Sequence, residues 1–484
     1  MSTRELANLV HGELRPVSVA GEGHIADPNT GQILSPRPGD DASVVDLAVG
    51  AAEALHRAGW SRRAGLEDRA AMLTGFADEL ESLAEEIAVA EMVSPGLIAA
   101  VARPIAGGSA DQVRGVVAEM RELGSEATVP ASGAGGPVIV HRDPWGPVVV
   151  MPPWNAPTPT AIGKAAAAMA AGCPVIIKVH ERAPLSARVW QEAAMRADIP
   201  AGVLQIIHGG PATALGLAED ARVRAIAMTG GVPAGRAIAQ AGAAHFARLQ
   251  LELGGLNPAI VLPDADIAAT ARALALGSTK LSGQWCEAPG QVFVPPRLHE
   301  DLVDALVAEL AALRIGASTD EGTDVGPLVD AAHVAAVSSQ VAALESSGGQ
   351  VLRSGAVVAD TACGFVPCVV TGVPAEAAFE EIFGPVLSVH TYEDVDATID
   401  FVNSRQNGLA GYVFGDNVAE AMSVGVRLLG GEIKINGTSL FDLSPESHQS
   451  FWGTSGIGGH GQHDSFEFFR GYRIVGVDNP EAPI

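Results

Sequence analysis

The sequence predicts an α/β fold containing a parallel, doubly wound sheet, and three observations carry that expectation. Between Ala161 and Gly255, short apolar runs alternate regularly with helical patterns. A second α/β series follows Cys286. The chain has 484 residues, too many for one ordinary domain, so two or three are expected. Apolar runs separated by helices are the pattern of strands buried on both faces. Crossovers in such sheets are right-handed, and ligands gather at the carboxyl ends of the strands.

Taken in order, Asp27-Pro28-Asn29-Thr30-Gly31 is a turn signal. Apolar residues at helical spacing predict helices over 46–56 and 67–91, and a third covers 110–123. The Gly/Ser/Ala-rich piece 124–136 reads as a loop, followed by β-rich runs at 137–140 and 147–151. The alternating series comes next: helix 161–171, strand 173–178, helix 185–197, strand 204–208, a short helix, strand 225–228, a helix opening at Pro233, and strand 249–253. A helix over 267–276 precedes Cys286. Beyond it come strand 291–294, helices 298–313 and 331–346, strand 349–353, helices 394–404 and 418–428, and a strand over 466–477.

Composition narrows the function. Hydrophobic residues make up 48% and charged residues 18%, as in a well-folded globular chain. Thirty Lys+Arg face 56 Asp+Glu, and a net charge of −26 argues against nucleic acid or an anionic membrane as partner. Cys173, Cys286, Cys363 and Cys368 match neither a zinc site nor a C-x-x-C pair and are too few for a disulfide scaffold, so no metal is expected. The N-terminus lacks a basic stretch followed by an apolar one, and the most apolar run, 165–177, is too short to span a bilayer. A soluble cytoplasmic protein is expected.

Several stretches carry chemistry. Cys286 sits in Gly283-Gln284-Trp285-Cys286-Glu287-Ala288, a small-residue setting just after a helix. A thiol there is either a buried small hydrophobe or a nucleophile with room for a substrate. Asn155, in Pro153-Trp154-Asn155, sits at a strand's carboxyl end, where its amide can cap the next helix or donate to a developing oxyanion. Glu252, between Leu251 and Leu253 and before Gly254-Gly255, is either a structural ion-pair partner or a general base whose pKa partial burial raises. Thr229-Gly230-Gly231 opens a helix whose N–H groups could take a pyrophosphate.

These pieces resemble, in order and spacing, the NAD(P)-dependent aldehyde dehydrogenase superfamily of the hydrolytic, non-acylating type. Its signatures Pro-Trp-Asn, Lys-x-x-Glu, Thr-Gly-x-x-x-x-Gly, Glu-Leu-Gly-Gly, Gly-Gln-x-Cys-x-Ala and Glu-x-Phe-Gly-Pro start at Pro153, Lys178, Thr229, Glu252, Gly283 and Glu381. The resemblance covers nearly the whole chain. It implies that Cys286 attacks an aldehyde, that Asn155 and the Cys286 N–H hold the oxyanion, and that Glu252 activates water to hydrolyse a thioester. Lys164 matches a lysine near the proton path. Lys178 and Glu181 match the residues that hold the adenosine ribose; a carboxylate at Glu181 would repel a 2′-phosphate, which favours NAD over NADP. Thr229, Gly230, Gly231 and Gly235 match the pyrophosphate turn, while Glu381, Phe383 and Trp154 match the nicotinamide end.

The chain departs from the family pattern at Gly231, where Ser is common, at Leu256 for Lys, at Leu281 for Asn or Ser, and at Gln291 for Arg. Trp452-Gly453-Thr454-Ser455-Gly456 lacks the usual Lys. In the substrate tunnel Ala156 replaces a frequent Phe and Gly163 a frequent Trp, which widens it; Trp285, Phe441 and Phe451 partly refill it with aromatic surface. The substrate expected is a bulky apolar or aromatic aldehyde. Glu287 could instead greet a cationic substrate or enter a structural hydrogen bond.

The resemblance further implies a Rossmann-like NAD-binding domain (1–121 and 145–254), an α/β catalytic domain (255–449), and a β oligomerisation element with the C-terminal tail (122–144 and 450–484). Its apolar edge favours a homodimer or homotetramer. Two alternatives are a CoA-acylating relative, which generally lacks the glutamate at position 252, and a non-catalytic scaffold of the same fold.

Overall fold

The computed structural model describes residues 5–131, 136–405, 407–440, 442–444 and 446–478. Phe441, one of the expected tunnel residues, lies outside them.

The first sheet has eight strands, in the order Glu13–Pro16, Ala7–Val10, Leu204–Ile207, Val175–Lys178, Val148–Met151, Ala225–Gly230, Arg248–Leu253 and Gly456–Ile457. The five central strands are parallel. Val148–Met151, first of these in sequence, lies in their middle, so the winding reverses there and opens a crevice at the carboxyl edge. Period-two alternation splits this strand between two cores. Val148 and Val150 pack with Leu73, Phe76, Met120 and Ile162 on one face, and Val149 and Met151 with Val44, Val45 and Ile238 on the other. Helix Pro157–Ala171 explains itself: Pro157 stands in its first turn, alanines fill its body, and Gly172 stops it at φ 95°.

The second sheet runs Gln350–Arg353, Cys368–Thr371, Val386–Thr391, Gln291–Val294, Ala259–Val261, Ala410–Phe414 and Glu432–Ile435, parallel except for its first strand. A third, antiparallel sheet joins Arg470–Gly476, Val138–Pro144 and Glu126–Val129. It exposes apolar side chains, with Ile474 at 72% and Val475 at 50%.

The structure corrects several local expectations. The 124–136 piece contains the strand Glu126–Val129, whose pairing with 138–141 overrides its weak composition signal. The 67–91 helix is two, Leu66–Ser82 and Ala84–Val93, broken at Leu83. The third helix starts at Ala99 and carries Pro104, tolerated because Pro104 and Ala100, whose carbonyl it leaves free, are exposed. The C-terminal strand begins at Arg470, after a helix at Gln462–Glu467. Ala7–Val10 and the edge strand Glu13–Pro16 carried no recognised signal. Among the described residues no helix is long and apolar enough to cross a membrane.

Candidate active site

The parallel strands bring four of the singled-out stretches to one edge. Asn155 follows Val148–Met151, Lys178 ends its strand, and Thr229 and Glu252 lie directly opposite each other in register. The cysteine loop reaches this edge from the second half of the chain. It leaves helix Ile267–Thr279 through three consecutive left-handed residues, Leu281, Ser282 and Gly283, at φ 51°, 57° and 74°. At Gly283 a Cβ would lie 2.2 Å from the Gly384 carbonyl carbon, so only glycine lets the loop press against Phe383-Gly384-Pro385. Leu281 occupies a conformation that suits Asn better, which gives its departure from the family pattern a physical cost.

Hydrogen bonds fix the loop. Asn155 Nδ2 donates to the Gln284 carbonyl at 2.8 Å, leaving its second N–H for another acceptor. Its side chain does not cap the following helix. Gln284 Oε1 accepts from Val329 N at 2.9 Å. Asn257 Nδ2 donates to the carbonyls of Cys286 at 2.7 Å and Ala288 at 3.0 Å, bracketing the thiol.

Cys286 Sγ lies 3.5 Å from Glu252 Oε1. Burial pushes the thiol well above its ordinary range, and the charges of Glu252, Glu287 and Glu381 add to that. Glu252 corrects the expectation that burial raises its pKa. Burial does push it up, but His460, Lys164 and the thiol outweigh that and leave it below the ordinary value. Its Oε2 accepts from Thr229 Oγ1 at 3.2 Å and lies 3.9 Å from His460 Nδ1. The contact gives a proton path from sulfur to carboxylate, one the opposed shifts keep uphill until sulfur bonds to an electrophile.

Lys164 Nζ donates to Gln250 Oε1 at 2.6 Å and lines a small recess with Glu252, Thr229 and Phe451. Phe451 is buried edge-on against His460, behind the carboxylate. Trp285 is buried with Lys280 and Lys434 at 5.2 and 5.8 Å from its ring. Glu287 turns into a buried ion pair with Lys434 at 3.3 Å and accepts from Gln449 Nε2 at 3.1 Å. Ala156 precedes helix Pro157–Ala171. Gly163 does not widen the tunnel as expected, because a Cβ there would lie 2.3 Å from Gln112 Nε2, whose side chain already holds that space.

The expected cofactor residues make local contacts. Lys178 Nζ pairs with Glu181 at 3.1 Å. Burial opposes ionisation of Glu181, yet His180 and Lys178 hold it down at about 2. Gly230 ends its strand and Gly231 precedes helix Val232–Ala243, whose first turn has no side-chain cap. Nothing comes closer than 3.8 Å to a Cβ at Gly231, so the missing Ser hydroxyl is a loss of contact and not of space. Gly235 has another role: a Cβ there would meet Leu253 at 2.5 Å, so it seats the helix on the sheet. Glu381 is pressed against Gly254 and Gly255, and burial pushes it up to about 7. Its Oε1 is buried without a hydrogen-bond partner among the described residues. Trp154 and Phe383 meet edge-on at 5.4 Å, with His333 at 5.3 Å from Trp154. An uncapped helix start, an ionised ribose-type acceptor and an orphaned carboxylate oxygen fit a dinucleotide.

Sequence reasoning missed Asn257, His333, Gln112 and His460. Asn257 stands two residues after the paired glycines, where a positive φ of 44° favours Asn, and that was a usable signal. His460, between glycines near the end of the chain, reaches Glu252 through tertiary pairing that no local pattern announces.

A thiol and a carboxylate at the switch point of a dinucleotide-type sheet define an NAD(P)-dependent oxidoreductase that works through a covalent cysteine adduct. Residues 18–475 match the Aldehyde dehydrogenase family, and the chain belongs to it. It is 32% identical over 464 residues to the 4-(hydroxymethyl)benzenesulfonate dehydrogenase of Comamonas testosteroni, covering 95% of this chain and 96% of that one. It is 31% identical over 457 residues to the geranial dehydrogenase of Castellaniella defragrans, covering 93% and 94%. The solved structure of 3,6-anhydro-L-galactose dehydrogenase in complex with NAP superposes with a TM-score of 0.91 at 26% identity, covering 98% and 100%. The protein is thus an enzyme that oxidises an aldehyde with NAD or NADP, the choice varying among family members.

Proposed function

We propose that Cys286 is the nucleophile, Glu252 the base for both its proton and the hydrolytic water, and NAD the preferred cofactor. The 3.5 Å contact between Cys286 Sγ and Glu252 Oε1 carries this reading. The thiol gives its proton to Glu252 and sulfur bonds to the aldehyde carbon, placing the carbonyl electron pair on oxygen. Asn155 Nδ2 and the Cys286 N–H would donate to that oxygen. The bound nicotinamide supplies the hydride acceptor. A thioester then remains on Cys286; Glu252 releases the thiol's proton to solvent and, ionised again, takes a proton from water, the hydroxyl adds, and the thiolate leaves with release of the carboxylic acid. A CoA-acylating course is disfavoured by Glu252 itself.

Trp154, Phe383 and Glu381 would hold the nicotinamide end, Thr229, Gly230 and Gly231 the pyrophosphate, and Lys178 and Glu181 the adenosine ribose. The ionised Glu181 favours NAD. Ala156 and Trp285 beside the thiol support a bulky apolar or aromatic aldehyde, and the names of the geranial and hydroxymethylbenzenesulfonate relatives agree with that class. The exposed apolar edge of the third sheet supports a homodimer or homotetramer. The test is NADH formation over aliphatic, aromatic and cationic aldehydes, with NADP and CoA in parallel arms. CoA-independent turnover that is fastest with NAD and bulky aldehydes supports the reading; strict CoA dependence overturns its hydrolytic half.

A further inference from the structure

His460 stands at the centre of a continuous polar chain behind the reacting groups. Its Nδ1 lies 3.9 Å from Glu252 Oε2, within ion-pair reach, and its Nε2 is 2.7 Å from Gln449 Oε1. Gln449 Nε2 donates to Glu287 at 3.1 Å, Glu287 pairs with Lys434 at 3.3 Å, and Lys434 pairs with Glu432 at 2.7 Å. Glu287 is the next residue after Cys286. The base and the nucleophile's loop are therefore joined at the back through one imidazole and one amide. Asp442, half exposed, also lies 3.9 Å from His460 Nε2 and connects the ring to the surface.

We propose that His460 is a positioning residue for the base: its imidazolium holds Glu252 as an oriented carboxylate and, through Gln449, couples it to the buried Glu287–Lys434–Glu432 group beside Cys286. The proposal rests on the reading of Glu252 as the base. Charged and titratable neighbours on every side fit it. Glu252 faces Lys164 from helix Pro157–Ala171, His460 from strand Gly459–Gly461 and the Cys286 thiol from its loop. His460 faces Glu252, Lys164 and Asp442. Burial disfavours the imidazolium, but Glu252 and Asp442 outweigh that and raise the pKa of His460. A neutral histidine in the same pocket would fill space without orienting the charge.

The test is the acid limb of kcat/KM for aldehyde oxidation in wild type, His460→Gln, His460→Lys, Asp442→Asn and Glu252→Gln, with thermal unfolding as a check on folding. Removing the cation in His460→Gln should move the limb up by roughly one pH unit, the usual effect of a lost opposite charge at this range. His460→Lys should bring it back toward wild type, and Asp442→Asn, which leaves the imidazolium charged in this acid range, should not move it upward. If Glu252→Gln keeps the wild-type limb, Glu252 is not the base and that reading fails. If Glu252→Gln abolishes the limb while wild type, His460→Gln and His460→Lys share one limb, the proposal for His460 is overturned. Should His460→Gln not fold, His460→Asn removes the same cation, and an unmoved limb there overturns the proposal equally.

Discussion

Cys286 Sγ and Glu252 Oε1 stand 3.5 Å apart, with the thiol's pKa pushed up and the carboxylate's held down. At neutral pH the resting pair is therefore thiol and carboxylate, not thiolate and acid. Removing the base should slow both attack and hydrolysis. Glu252→Gln is expected to lose about 100-fold or more in steady-state turnover, within the usual range for a positioned base. Turnover measured under saturating substrate checks this.

The ribose contact proposed for Glu381 would tie cofactor affinity to pH. Burial raises its pKa to about 7, so its carboxylate is neutral below that pH and ionised above it. Ribose hydroxyls donate better to the ionised form. NAD affinity, read by fluorescence titration, is expected to rise as pH increases through about 7, and Glu381→Gln should bind more weakly with a flat profile.

Gly283 makes the cysteine loop intolerant of any side chain. Ala there meets the Gly384 backbone at 2.2 Å and must hold φ at 74°. Gly283→Ala should cost on the order of 3 kcal/mol and displace the thiol, losing most activity. Chemical denaturation and aldehyde turnover test the two halves separately.

Glu91 gives stability a pH dependence unrelated to catalysis. It is fully buried, accepts from Thr158 and Ser186, and burial raises its pKa from 4.5 to about 7. The folded state therefore prefers the protonated form. This contribution is complete below pH 4.5 and is lost as pH rises through about 7, a difference of roughly 3 kcal/mol. Unfolding midpoints of wild type should fall between pH 5 and 7 more steeply than those of Glu91→Gln.

The sheet that positions the site was legible because Val148–Met151, Val175–Lys178 and their neighbours are buried on both faces and so read as unbroken apolar runs. Cys286, Glu252 and Asn155 stood out locally, but each kept a structural alternative there, and only the run of six motifs in order gave them a role. The remainder depends on contacts distant in sequence. Glu126–Val129 is a strand only because 138–141 pairs with it. Gly163 looked like an opening until Gln112, from a neighbouring helix, was found in the space. Glu252 looked like a carboxylate of raised pKa until His460, more than 200 residues away, was placed beside it.

The central claim is a covalent adduct on Cys286 resolved by Glu252. Its most direct test is intact-protein and peptide mass spectrometry of Glu252→Gln after brief reaction with NAD and a turned-over aldehyde. The account predicts one acyl group, located on the Cys286 peptide and absent in Cys286→Ala. An unmodified Cys286 in a variant that still forms one equivalent of NADH would contradict it.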